Sequence, residues 1–128
     1  MLVDAFEKPS AVSVHFGCLQ ELDSLISSRV QRNEATLAGV LSEQDLFGVV
    51  SKALSFPEYF GSNWDALNDC LGDLGWLAPS GVLLILRDAN LAWGRNPLAL
   101  GRLVTSWLEV NEFWLEENRP FHLIFVCE

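Results

Sequence analysis

Basic residues are scarce in this chain. Eight Lys and Arg stand against seventeen Asp and Glu, for a formal charge of −9, and neither base occurs between Lys52 and Arg87. Such a chain repels phosphate backbones and anionic lipid, which disfavours direct nucleic-acid or membrane binding and favours a basic partner. Cysteine is sparse too: Cys18, Cys70 and Cys127 form neither a paired framework nor a metal-ligand spacing. Free thiols in a reducing compartment, and so a cytoplasmic location, are the expectation. No apolar run reaches the length of a membrane span, and the opening MLVDAFEKPS lacks the basic flank and apolar stretch of a signal peptide. Repeats, low-complexity tracts and a glycine-rich phosphate loop are also missing.

Apolar residues are plentiful, at 50% of 128 residues, enough for one core. Residues 11–16 (AVSVHF) alternate as a half-buried strand does, and residues 19–30 shift to helical spacing through Leu19, Leu22, Leu25 and Ile26. Arg32, Asn33 and Glu34 break the pattern before a second strand over 35–40 (ATLAGV). A helix over about 42–54 follows, with Ser42 and Asp45 spaced as a capping box and Pro57 as its stop. Gly61 is expected to supply an unusual backbone angle, and Ser62 or Asn63 to cap a helix reaching about residue 71, ended by Gly72 or Gly75. The run VLLIL at 82–86 suits a strand covered on both faces. Residues 88–97 read as a loop, 98–117 as a long helix and 121–126 (FHLIFV) as a last strand. Strands joined through helices imply an α/β fold with parallel pairing.

On a helical wheel, Trp64, Leu67, Leu71 and Leu74 form the core stripe. Asp65, Asp69 and Asp73 lie opposite, spaced i, i+4, i+8, about 5–6 Å apart. A solvated polar face is the plain reading. Asp65 suits the positive end of the helix dipole, but Asp69 and Asp73 approach the negative end, each costing up to about 0.3–1 kcal/mol. Like charges at i, i+4 add about 0.2–0.5 kcal/mol per pair. A cationic partner would relieve both.

The run FPEYFGSNWDALNDCLGDL, residues 56–74, closely resembles the corresponding segment of the barstar family, the intracellular bacterial inhibitors of barnase-type secreted ribonucleases. Pro57, Glu58, Tyr59, Gly61, Asn63, Asp65, Ala66, Leu67, Asp69, Cys70 and Leu71 stand in register with it, and the order of elements over 35–128 is similar. The resemblance implies an α/β, barstar-like fold: a three-stranded parallel sheet packed by helices. Residues 1–33 would be an N-terminal strand-helix extension packed on the core, and 34–128 the barstar-like domain.

It also implies a function: occlusion of a basic ribonuclease active site, in the manner of an immunity protein or antitoxin. Tyr59 would be the aromatic contact, Gly61 and Asn63 the shaping loop, and Asp65 and Asp69 the carboxylates, with Asp69 in the place of substrate phosphate. Asn68 stands where the family has an aromatic residue and Ser62 where it has an acid. Asn68 and Asp73 complete the expected contact face, with Trp76 beside it. The implied partner is a secreted or toxin ribonuclease, bound one to one by a monomer. A second reading keeps the scaffold as an acidic interaction module for a non-nuclease partner.

Other features read as structural. His15 and His122 sit in expected strands, Trp107 and Trp114 on one helix face belong in a core, and Cys70 packs. Asp65 with Asp69 could serve as acid and base or hold Mg²⁺. No Lys, Arg or His lies near them in sequence, and an outer helix face makes no pocket, so neither catalytic residues, a metal nor a cofactor is expected.

Overall fold

The computed structural model describes residues 9–18, 32–57, 60–74 and 81–127. Among them the elements run β1 (Val14–Gly17), β2 (Arg32–Thr36), α1 (Glu43–Ala53), α2 (Trp64–Gly72), β3 (Val82–Arg87), α3 (Ala89–Arg95), α4 (Pro97–Glu116) and β4 (Phe121–Val126). The helix expected over 19–30 lies outside the described residues. No helix among the described residues is long and apolar enough to cross a membrane.

The strands form one parallel sheet in the order β1-β4-β3-β2. Among the described residues the sheet thus has four strands, not three. The fourth is β1, which pairs with β4 from Val14 opposite Leu123 to Gly17 opposite Val126 and covers what would otherwise be an open edge. Central β3 carries the apolar run and is buried on both faces. Val82, Leu84 and Leu86 join the core with Phe121, Leu123 and Phe125 of β4, while Leu83, Ile85, Ile124 and Val126 are equally buried on the other side. Gly81, at φ 150°, begins β3 against Pro120, where a Cβ would meet the proline ring at 2.5 Å.

Three expected assignments move. β1 covers 14–17 rather than 11–16. β2 covers 32–36 rather than 35–40, because Arg32, Asn33 and Glu34 alternate across an edge strand instead of breaking it. Asn33 is buried and donates to the Leu83 carbonyl at 3.2 Å. Glu34 lies outward, pairing with Arg32 at 3.2 Å and Arg87 at 3.6 Å; charge of this kind protects an exposed edge. The stretch expected as a loop contains α3. Ala89 and Ala92 bury themselves in the core and Arg95 donates to the Ala38 carbonyl at 3.1 Å, so packing overrides the weak propensity of Asn90 and Gly94.

Helix ends follow local chemistry. Ser42 and Asp45 make the expected capping box on α1. Pro57 does not end that helix: Ser55 turns left-handed at φ 54°, and Phe56 N–H reaches the Ser51 carbonyl at 2.8 Å, closing it first. The long helix α4 starts on an Asn96 cap with Pro97 in its first turn and closes in the same manner through Asn118. Its buried face carries Trp107 and Trp114, which sandwich Phe121 with centroid separations of 3.9 and 5.0 Å.

The two histidines form a pair. His15 Nε2 and His122 Nδ1 are 3.0 Å apart, with His122 fully buried. Burial, and secondarily the charge of His122, hold the His15 pKa down to about 4 from 6.5. The unfolded chain therefore takes up this proton below pH 6.5 while the folded protein resists it until about pH 4. Stability is complete above that window and declines as pH falls through it. Allowing for the partial exposure of His15, the loss is about 1–2 kcal/mol. Denaturant unfolding from pH 6.5 to 5 should show it in the native protein and not in His15→Gln; equal slopes would contradict the assignment.

Candidate protein-docking face

The site is built from the turn that precedes α2. Asn63 caps the helix, its Oδ1 accepting from Ala66 N–H at 2.8 Å while its Nδ2 donates to the Gly61 carbonyl at 3.3 Å. The unusual backbone angle falls on Ser62, at φ 50°, rather than on Gly61. Glycine is suited to position 61 for another reason: a Cβ there would crowd the capping amide at 3.1 Å. Gln44 of α1 holds the turn by donating to the Ser62 carbonyl at 3.3 Å. Aromatic contacts seat it from below, Phe60 against Phe56 at 5.0 Å and Trp64 edge-on to Phe47 at 4.8 Å.

The helix then divides as its periodicity requires. Leu67, Leu71 and Leu74 are fully buried and Trp64 half-buried, while Asp65, Asp69 and Asp73 are exposed. Asp73 stands at the C-cap, where its backbone has left helical values. Asn68 lies half-buried between the two faces, its Oδ1 without a hydrogen-bond partner. Cys70 is buried behind the acidic face. Its thiol pKa is pushed up by burial first and then by the charges of Asp69 and Asp73. Tyr59 and Trp76 lie outside the described residues.

Three anchors of this face are not legible in the local sequence. The Trp64 indole N–H donates to Glu43 Oε1 at 2.6 Å. Arg102 of α4 covers the Trp64 ring at 4.8 Å and pairs with the same carboxylate at 3.7 Å. Trp114 donates from Nε1 to the Leu71 carbonyl at 3.0 Å, satisfying a carbonyl in the last turn of α2. A buried indole demands an acceptor, so partners for Trp64 and Trp114 could be expected, but spacing does not say which. The fold thus brings a base to the first turn of α2, where it pairs with Glu43. No ion pair involves Asp65, Asp69 or Asp73 among the described residues.

A rigid helix thereby presents three carboxylates to solvent. Among the described residues a cleft of about 390 Å³ lies between β2 and α1, lined by Glu34, Ala35, Thr36, Val49, Lys52 and Ala53. Among the described residues, no group of three or more His, Cys, Asp or Glu is arranged to hold a metal. The arrangement can form charge-assisted hydrogen bonds to a cationic surface.

Residues 31–126 match the family profile described as barstar (barnase inhibitor). The chain belongs to the barstar family. The barstar match runs from the residue before β2 to the last residue of β4, so it takes in the whole acidic helix and leaves β1 outside. No curated protein matches the chain significantly. Membership in the barstar family accords with a mixed α/β architecture and a parallel sheet. The family description names inhibition of an enzyme, with a protein as the target.

Proposed function

We propose that this protein inhibits a basic ribonuclease of the barnase type, acting in the cytoplasm of its producer as an immunity protein or antitoxin. It acts as a monomer in a one-to-one complex and has no catalytic activity. Residues 34–128 form the inhibitory domain and 1–33 an extension packed on it. The observation that carries this reading is the outer face of α2, with Asp65, Asp69 and Asp73 exposed and without ion pairs among the described residues, in a chain of the barnase-inhibitor family.

In this reading α2 enters the nuclease cleft as a preformed anion. Asp69, mid-helix, takes the place of the substrate phosphate among Arg, Lys and His groups, and Asp65 meets the rim. Tyr59 and Trp76 supply apolar contact beside the carboxylates, while Gly61 and Asn63 shape the leading turn. Asn68 and Asp73 line the departing side. Carboxylates fixed on a helix need little reordering to collect charge-assisted bonds, so most of their interaction energy remains in the complex.

The test is titration of a purified basic ribonuclease with this protein, followed by association kinetics over a range of salt. Activity should fall linearly to zero at one equivalent. Association should slow by at least about tenfold as ionic strength rises from roughly 0.01 to 1 M, because screening contracts from about 30 to 3 Å and removes the steering field. Full activity at excess protein, or an association rate indifferent to salt, would favour a non-nuclease partner instead.

A further inference from the structure

Almost the whole chain separates Cys18 from Cys127 in sequence, and the sheet closes that gap. Val14 pairs with Leu123 and Phe16 with Phe125. The rings of Phe16 and Phe125 stack at 5.2 Å, so side chains of these pairs share a face. The next position of the same parity sets Cys18 opposite Cys127, one step beyond the last ladder pair of Gly17 with Val126. There the Cys127 N–H still donates to the Gly17 carbonyl at 3.0 Å, which keeps the two chains in register.

In-register neighbours on adjacent strands are about 4.7–4.9 Å apart, inside the window of roughly 4.4–6.8 Å that a disulfide requires between Cα atoms. A regular ladder holds the Cβ atoms slightly too far apart. Both cysteines lie just outside the strands, where the backbone can close to the required Cβ separation of about 3.5–4.5 Å. Both thiols are free, Cys18 half-buried and Cys127 exposed. Cys70 is buried on α2 with its thiolate disfavoured.

We propose that Cys18 and Cys127 are a reversible dithiol that closes to a cross-strand disulfide when the protein meets a low-molecular-weight disulfide such as glutathione disulfide. The exposed Cys127 thiolate attacks one sulfur of the oxidant and expels one thiolate. The Cys18 thiolate then attacks the Cys127 sulfur of the mixed disulfide and expels the second. The two cysteines give up two protons and two electrons in all, and the oxidant leaves as two thiols. The bond joins the end of β1 to the end of β4, and because every element from β2 to β4 lies between Cys18 and Cys127 in sequence, the closed ring takes them all in. Cross-linking so long a loop restricts the unfolded chain and fixes the edge strand.

The test is to incubate the full chain with glutathione disulfide, remove the oxidant, and titrate thiols in denaturant. The titre should fall from three to one, with the mass reduced by two hydrogens and a Cys18–Cys127 linked peptide in the digest. Dithiothreitol should restore all three, and the guanidinium unfolding midpoint should be higher in the oxidised form. In Cys18→Ser or Cys127→Ser the remaining thiol should retain a glutathione adduct, since no second thiol resolves it. Three thiols persisting in the native sequence, stable adducts on both cysteines, a disulfide-linked dimer, or a bond involving Cys70 would each overturn the proposal. The readout needs no nuclease, so it stands or falls separately from the inhibitory function.

Discussion

Replacing Asp69 by alanine should weaken binding to a basic ribonuclease by at least about 2 kcal/mol, roughly thirtyfold in Kd, the level at which an interface residue counts as a hot spot. Asp69 is exposed in the middle of α2 and makes no ion pair among the described residues. Its removal therefore takes nothing from the fold. Alanine is the better helix former, and the substitution also relieves repulsion from Asp65 and Asp73. The loss arises in the complex, where truncation leaves desolvated cationic groups of the enzyme without their anion. Dissociation should quicken more than association slows. Asp69→Asn, which keeps the shape and removes the charge, should lose most of the same affinity. A Kd within twofold of the native protein in both variants would remove Asp69 from the interface.

Trp114→Ala should destabilise the protein by about 3–5 kcal/mol, the range for large aromatic deletions from a core. The side chain is fully buried, lies 5.0 Å from the Phe121 ring and is covered by the Arg119 guanidinium at 4.1 Å. Its indole also supplies the 3.0 Å hydrogen bond to the Leu71 carbonyl. Trp114→Phe separates the two contributions. It retains much of the packing but leaves that carbonyl unsatisfied, at a cost of about 1–3 kcal/mol. Amide exchange in the last turn of α2 should accelerate in this variant. Equilibrium denaturation with an unchanged m-value checks both figures; a loss below about 1 kcal/mol for the alanine variant would show that the core repacks around the gap.

What could be read in advance was whatever depends on near neighbours. The capping box at Ser42 and Asp45, the strand at Phe121–Val126 and the split of α2 into leucine and aspartate faces all depend on residues within two turns of one another. Their chemistry is local, so spacing reveals it. α3 was hidden because Asn90 and Gly94 resemble breakers, and only burial of Ala89 and Ala92 makes the segment helical. β2 was displaced because Arg32 and Glu34 look like a loop until β3 supplies a partner on one side and salt bridges on the other. Ser62, not Gly61, carries the left-handed angle; the Asn63 cap, which spacing did reveal, and the Gln44 hydrogen bond, which comes from α1, hold it there. Pairings of residues far apart in sequence, such as His15 with His122 or Arg102 with Glu43, are set by topology alone. The acidic face itself was legible because helical spacing sufficed to find it. Its anchors came from other helices.

In the proposed mode of inhibition, α2 counterfeits a phosphate-bearing substrate with helix-borne carboxylates. A crystal structure of the protein with its ribonuclease tests it most directly. The Asp69 carboxylate should lie inside the enzyme cleft, within hydrogen-bonding distance of arginine, lysine or histidine side chains that otherwise hold the scissile phosphate. A complex in which the outer face of α2 remains in solvent while another surface covers the enzyme would contradict it.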